Sequence, residues 1–421
     1  MKKASLITIY FYSKILRLFF LHILFINLLI SFCFFPGIAN AQSAQSTRIL
    51  EPGPRNIEVG PVHVSPSLGL SVEYTDNVFA APTNEKDDFI ATFTPGIRLL
   101  LTPSKHILFF EYEGRFTKYA EFTSDETKNH KIEAIGEFNF TRGLSLRAWD
   151  SYVIGHEKRG ESSTGLIESF TRNTIGTSAS YEFRDDYKFT AEYSNSTYDF
   201  VLSPFRDRKE DAIVGIASYR FRPKLFALIE YDYKMIDFDT TPVASASLDS
   251  DSYGVLGGIQ WDFTGKTTGI VKAGYFSKDF DAVGIKDYSS FIYSGNLEVK
   301  FTKFTAFDVT AGKSVNETAL SGSSFFIANV FSGRLIHIFT RKTSAKLKAS
   351  YEIDDFQTRL TIGAQTGTRE DKIFRMGGGV EYRIQEWLHL DLEYTYTDKN
   401  SNFNVFDYEE NSVVISARIV L

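Results

Sequence analysis

The chain has one cysteine in 421 residues, and that residue, Cys33, lies inside an N-terminal apolar run. A single thiol allows neither a disulfide framework nor a cysteine zinc site. Past residue 35 no apolar run approaches the length of a membrane-spanning helix. Helical periodicity is also scarce from His63 onward, which excludes a helical bundle. The formal net charge is −6, so no global basic field points to nucleic acid. Histidines are few. Those after residue 41 (His63, His106, His130, His156, His337 and His389) form no metal-like pair at close spacing. No H-E-x-x-H, G-x-S-x-G or phosphate-binding loop occurs. Gly377-Gly378-Gly379 sits within a strand pattern and is expected to mark a bend or bulge. The expectation is a protein that is not an enzyme, with no cofactor and no metal.

What the chain does have is aromatics, 39 Phe and 22 Tyr, which suit strands and the lipid-facing surface of membrane barrels. The N-terminus reads as a signal peptide over residues 1–41. Lys2, Lys3, Lys14 and Arg17 precede the apolar run Leu18 to Phe35, and Ala39-Asn40-Ala41 supplies a cleavage site. The competing reading is a retained anchor. Residues 42–62 carry Pro52, Pro54 and Pro61 and are expected to be a flexible periplasmic lead, with the barrel over residues 63–421.

Along His106–Tyr119, HILFFEYEGRFTKY, Leu108, Phe110, Tyr112 and Phe116 share one face, and Glu111, Glu113, Arg115 and Thr117 share the other. That alternation recurs through about 18 segments, from 66–75 to 409–421. Tight turns, such as those at Pro103, Arg142-Gly143 and Gln385-Glu386, alternate with longer polar loops, such as Ala81–Asp87 and Asn400–Asp407. Phe140-Thr-Arg, Phe183-Arg, Phe221-Arg, Phe263-Thr-Gly-Lys, Phe301-Thr-Lys and Phe339-Thr-Arg each close a segment just before a tight turn, roughly every 40 residues. A propeller blade has the same period but packs four short strands into it. Here each unit holds two long ones, one hairpin, with the ring at a membrane interface.

A soluble sandwich also alternates. Long strands, an unbroken polar face and alternating turn lengths together favour an all-β, transmembrane, antiparallel up-and-down barrel of about 18 strands in the outer membrane. Short turns then face the periplasm and longer loops face outward. Eighteen strands enclose more space than side chains fill, so the charges are expected to line a watery lumen. The lumen-lining candidates are Arg98, Glu111, Glu113, Arg115, Lys131, Glu133, Arg147, Trp149, Arg172, Glu192 and Arg220. They continue with Glu230, Asp262, Lys300, Lys346, Glu352, Arg375, Glu381, Arg383, Asp391, Glu393 and Arg418. Acids and bases are near balance, and pairing between neighbouring strands is expected, as with Glu111, Glu113 and Arg115 beside Lys131 and Glu133. A solvated wall accounts for such charges without a ligand. Trp149 is a candidate surface for stacking a sugar.

The stretch Pro66-Ser-Leu-Gly-Leu-Ser-Val-Glu-Tyr-Thr-Asp-Asn-Val-Phe79, with Asp88 through Gly96 and Tyr112 to Tyr119, resembles the start of the outer-membrane family called putative β-barrel porin type 2. The resemblance implies association with exopolysaccharide or capsule export, and no catalytic residues. The chain departs from the usual aromatic terminus of such barrels in ending on Leu421. Without the family, Asp76 and Asn77 favour a turn and Phe79 is expected to fold back on the rim. The leading expectation is a channel for a hydrophilic polymer. Its partners would be outer-membrane lipids, polysaccharide and periplasmic export components. The alternatives are a general diffusion porin and a plugged surface-binding barrel whose contacts come from Glu157–Glu168 and Thr240–Asp249.

Overall fold

A computed structural model describes residues 56–157, 159, 167–239, 248–262, 265–282, 285–318 and 325–421. The leader and most of the lead segment fall outside that range, as do Phe263 and parts of the loops after Glu157 and Asp239. Among the described residues, nineteen strands form one antiparallel sheet. They are β1 Ile57–Val59, β2 Val62–Thr75, β3 Asp88–Leu101, β4 Ile107–Tyr119, β5 Thr127–Asn139 and β6 Leu144–Glu157. Next come β7 Glu168–Phe183, β8 Tyr187–Phe200, β9 Arg208–Arg222, β10 Leu225–Phe238, β11 Ser250–Asp262, β12 Thr267–Phe280 and β13 Tyr288–Lys300. The last six are β14 Thr305–Glu317, β15 Phe325–Ile338, β16 Thr343–Ile362, β17 Gln365–Gln385, β18 Leu388–Ser401 and β19 Tyr408–Val420. Strands β2 to β19 each pair with their chain neighbours, and β19 pairs back onto β2 from Ser412↔Thr75 to Val420↔Ser67. The result is a closed, 18-stranded, up-and-down barrel.

The short strand β1 turns at Gly60 (φ 61°) and pairs with the start of β2, Ile57↔Val64 to Val59↔Val62. The end of the stretch expected to be flexible is thus a small hairpin. Its Ile-Glu-Val sequence can ladder because the Pro61 ring lies in the turn, where no N–H is needed.

Turn lengths alternate as expected, with one exception. The β16–β17 hairpin extends its ladder to Ile362↔Gln365 and closes in two residues, with Gly363 at φ 59°. At the opposite end, Arg142, Arg184, Asp185 and Lys224 all hold positive φ in the tight turns. The aromatic that closes each unit stands at that end and is exposed: Phe140, Phe183, Phe221, Phe301 and Phe339.

The alternation read from sequence is kept around the ring. One face carries exposed large apolar residues on strand after strand, including Leu70, Phe89, Ile229, Tyr275, Phe291, Leu347 and Ile415. Soluble monomers rarely expose apolar patches beyond a few hundred Å². A belt of this extent is stable only against lipid, and the barrel belongs in the outer membrane. Among the described residues there is no single apolar core. Small clusters replace it: Leu100, Phe109 and Ile135 packed with Ile107 and Trp149, and Phe280, Phe325 and Ile327 packed with Tyr288 and Val315.

Candidate functional site

All the charged candidates, and Trp149, fall on the face opposite the exposed aromatics, because the cross-strand register keeps parity from β3 to β19. Their pairing follows the expected scheme only in part: some pairs join neighbouring strands and others do not. Arg98 donates to Glu111 at 2.7 Å, across β3 and β4. Lys131 does not bond Glu113, which stands opposite it. It bonds Glu133 on its own strand at 2.8 Å. Arg115 stands opposite Asn129. Same-strand pairs recur at Lys300–Glu298 (3.2 Å) and Arg383–Glu381 (2.8 Å). Residues i and i+2 share a face about 6.6 Å apart, which a long side chain spans as readily as the gap between strands. Arg147 lies 3.7 Å from Glu137, and its guanidinium is 5.6 Å from the Trp149 ring. Arg375 bonds Glu352 at 2.9 Å. Arg418 approaches Glu381 at 3.9 Å.

Other pairs cross an intervening strand. Lys272 of β12 reaches Glu230 of β10 at 2.5 Å, passing over Gly258 of β11. Lys346 and Lys348 of β16 both reach Glu393 of β18, passing over β17 at Gly379 and Gly377. A Cβ on Gly377 would sit 2.8 Å from the Lys348 side chain, and one on Gly379 would sit 3.0 Å from that of Lys346. The glycine triplet is therefore neither a bend nor a bulge. Its register is unbroken from Lys346↔Gly379 to Lys348↔Gly377, and its missing side chains leave a saddle for two lysines. Trp149 uses the same device, since a Cβ on Gly176 of β7 would lie 2.2 Å from its ring.

The remaining candidates are placed singly. The Arg220 guanidinium lies 4.9 Å from the Phe226 ring, and Asp262 accepts the Gly265 N–H at 3.3 Å beside a tight turn. Glu192 stands opposite Ser178, and Asp391 opposite Glu381. Arg172 stands opposite Tyr198, with a buried Nε that has no hydrogen-bond partner among the described residues. His337 lies on the apolar face, bonded to Thr305 at 2.9 Å and edge-on to Phe339. No group of three or more His, Cys, Asp or Glu able to hold a metal exists among the described residues.

Sequence reading missed the outer rim. Asp207, Asp287 and Asp407 each precede a strand and accept the backbone N–H that ends the strand before, from Phe200 (2.6 Å), Phe280 (3.0 Å) and Ser401 (2.6 Å). Asp249 does the same for Phe238 at 2.7 Å. The recurrence of an aspartate just before these strands was a visible signal. Burial pushes the Asp207 carboxyl above its ordinary range, against the opposing pull of the Phe200 N–H. Fully buried Glu168 accepts from the Leu202 and Ser203 N–H groups and the Ser203 hydroxyl. Arg206 bonds both oxygens of Glu157 and stacks 3.9 Å from the Phe200 ring. Arg369 bonds Asp371 and lies between Phe356 and Phe406.

The Tyr74–Phe79 element closes the seam. Asp76 accepts from the Asn411 backbone (2.7 Å) and side chain (2.8 Å), and Thr75 donates to Glu410. Buried Asn77 both turns the chain, through Ala81, and reaches the Glu409 carbonyl. Phe79 packs edge-on to Phe122 at the rim, as expected. The first and last barrel strands are stitched together by side chains just above their shared ladder.

Among solved structures, the fold is similar to OpdK of Pseudomonas aeruginosa with vanillate. Identity is 12%, the match covers 85% of this chain and 99% of that one, and the TM-score is 0.45. It is also similar to the siderophore receptor PiuA of Acinetobacter baumannii, with 9% identity, coverage of 87% and 82%, and a TM-score of 0.48. No curated protein matches. Residues 51–420 match the family described as "Putative beta-barrel porin 2". With a closed barrel, a lipid-facing belt and a charged opposite face in place, the chain belongs to that family of outer-membrane channels.

Proposed function

We propose that the charged face lines a water-filled bore and that the channel passes a hydrophilic polymer, an exported polysaccharide. The observation that carries this reading is the wall itself: charges of both signs on strand after strand, most of them held in close pairs. Paired charges give little selection by ion sign, and their unspent hydrogen-bonding capacity suits a neutral or weakly charged chain of hydroxyls. Trp149, laid over Gly176, offers a flat apolar surface on that wall, suited to one face of a pyranose ring. The connections are also short. The longest between barrel strands is the twelve residues from Asp76 to Asp87, so a long loop folded through the bore is not available. The leader up to Ala41 would be removed on export, and periplasmic export components would meet the tight-turn end.

Two experiments test the reading. The purified chain in planar bilayers should give conductance steps, and a deletion strain should retain polymer in the periplasm. Normal polymer export by that strain would remove the proposal. Rapid swelling of liposomes in unrelated small sugars would favour a general diffusion pore. Ligand capture without conductance would favour a plugged surface barrel.

A further inference from the structure

The ladder between β13 and β14 is cut short. Strand β13 pairs β14 only from Ser294↔Gly312 to Lys300↔Ala306, seven pairs, whereas β12–β13 has twelve and β14–β15 thirteen. Above Gly312 both strands continue. Tyr288–Tyr293 stays zipped to β12, and Lys313–Glu317 stays zipped to β15. The two strands have parted from each other in the outer half of the wall.

The side chains give the direction of the parting. Lys278 and Phe280 of β12 have the parity of the charged face, and so does Tyr288, which pairs with Lys278. Val315 and Glu317 of β14, with Phe325 and Ile327 of β15, have the parity of the lipid face. Yet these two sets touch. Phe325 stacks on Phe280, with centroids 5.6 Å apart, and packs on Tyr288 at 5.2 Å. Lys278 bonds Glu317, and Lys313 donates to Ser290 at 2.6 Å. The contact is dry: Lys278 is 2% exposed and Phe325 3%. The outer ends of β14, up to Glu317, and of β15, from Phe325, have therefore turned inward, and their back rests on the inner surface of β12 and β13.

The sequence suits two positions of these strand ends. Continuing the register would set Ser314 opposite Ile292 and Asn316 opposite Ser290, with small polar groups facing inward as elsewhere on the wall. The same move would turn Lys313 and Glu317 toward lipid, where charge is costly except near the interface. Turned inward, each has a partner. The buried Glu317 carboxylate still has one oxygen with no hydrogen bond among the described residues, so the inward position is not fully satisfied either. Gly312 is the last paired residue and the pivot, with only the Tyr293 carbonyl within 4 Å of where its Cβ would stand.

We propose that the outer ends of β14 and β15 form a gate: tucked against β12–β13 they narrow the bore, and zipped onto β13 they clear it. This rests on the charged face being the bore. The mature chain would contain no cysteine, which permits a clean lock. In the double variant Ser290→Cys/Asn316→Cys, a disulfide forms only in the zipped register, and peptide mass reads its formation without reference to conductance. A Lys278→Met background releases Glu317 and should raise the rate of bridge formation severalfold. The bridged channel should conduct at least twofold more than the reduced one, reverting on reduction. Failure to bridge even with Lys278→Met overturns the gate. A bridged and conducting barrel with unchanged conductance overturns the gate alone. A barrel that conducts in neither state refutes the bore and the gate together.

Discussion

Truncating one buried carboxylate tests how the outer rim is held. Glu168, at the start of β7, is 0% exposed and accepts three bonds from the next loop: Leu202 N–H at 2.8 Å, Ser203 N–H at 2.9 Å and Ser203 Oγ at 2.6 Å. A hydrogen bond to a charged group contributes about 1.5–3 kcal/mol net. Glu168→Ala removes all three, but the site is at a rim where water can enter and satisfy the freed donors, so the loss is set below their sum of about 4.5–9 kcal/mol, at about 3 kcal/mol. Arg206 keeps both bonds to Glu157, and no buried charge is orphaned. About 3 kcal/mol is roughly a hundredfold in the local opening equilibrium. Amide exchange at Leu202 and Ser203 should therefore accelerate about a hundredfold, while the barrel ladders keep their protection. Glu168→Gln retains one carbonyl oxygen and should fall near tenfold. Exchange at both amides within threefold of the wild type, in an otherwise unchanged spectrum, would refute the account of the rim as held by acidic clamps.

Other outcomes follow from the same structure. Leu347, 60% exposed on the apolar face, should cost about 2–4 kcal/mol on Leu347→Arg in folding to bilayers, whereas Ser350→Arg on the charged face should cost far less; equal costs would contradict the lipid assignment. His106, at a tight turn, is held below its ordinary value of 6.5 by burial and by Lys105, and its Nδ1 accepts the Asn139 N–H. The folded state thus binds this proton less readily than the unfolded chain. The stability it contributes is complete above pH 6.5 and is lost as pH falls below it. Thermal melts of His106→Asn should show a shallower acid slope than the wild type, and parallel slopes would count against it. Gly176→Ala must displace the Trp149 ring, at a cost of about 1–3 kcal/mol, seen as a fluorescence shift in a chain with Trp261 and Trp387 replaced by Phe. Glu393→Gln leaves Lys346 and Lys348 without their shared counter-charge. At about 10 Å in water one added charge is worth about 0.4 kcal/mol, so the reversal potential should move toward anions about two- to fourfold in 10 mM salt and vanish in 1 M salt.

Strand existence, strand faces and the alternation of turns were all readable along the chain. Each depends on a period of two residues and on short-range turn chemistry, which a single strand carries by itself. Asp76 and Asn77 could be seen as turn formers, but not as the stitch to Asn411 and Glu409, more than 330 residues away. The partner of Lys131 was misjudged because an acid on its own strand competes equally with one across the ladder. The glycine triplet was misread because a glycine in a strand marks either a bulge or a close approach, and only the neighbour decides which.

By itself, then, the sequence determined that this chain is a barrel of about 18 long strands, apolar on one side and charged on the other. Only the tertiary structure decided which charges meet, where lysines cross a strand over glycine, and that β13 and β14 part above Gly312. The physical reason is one of range. Parity is fixed by each residue's immediate neighbours, whereas contact across a closed sheet depends on the stagger and twist accumulated by every strand between.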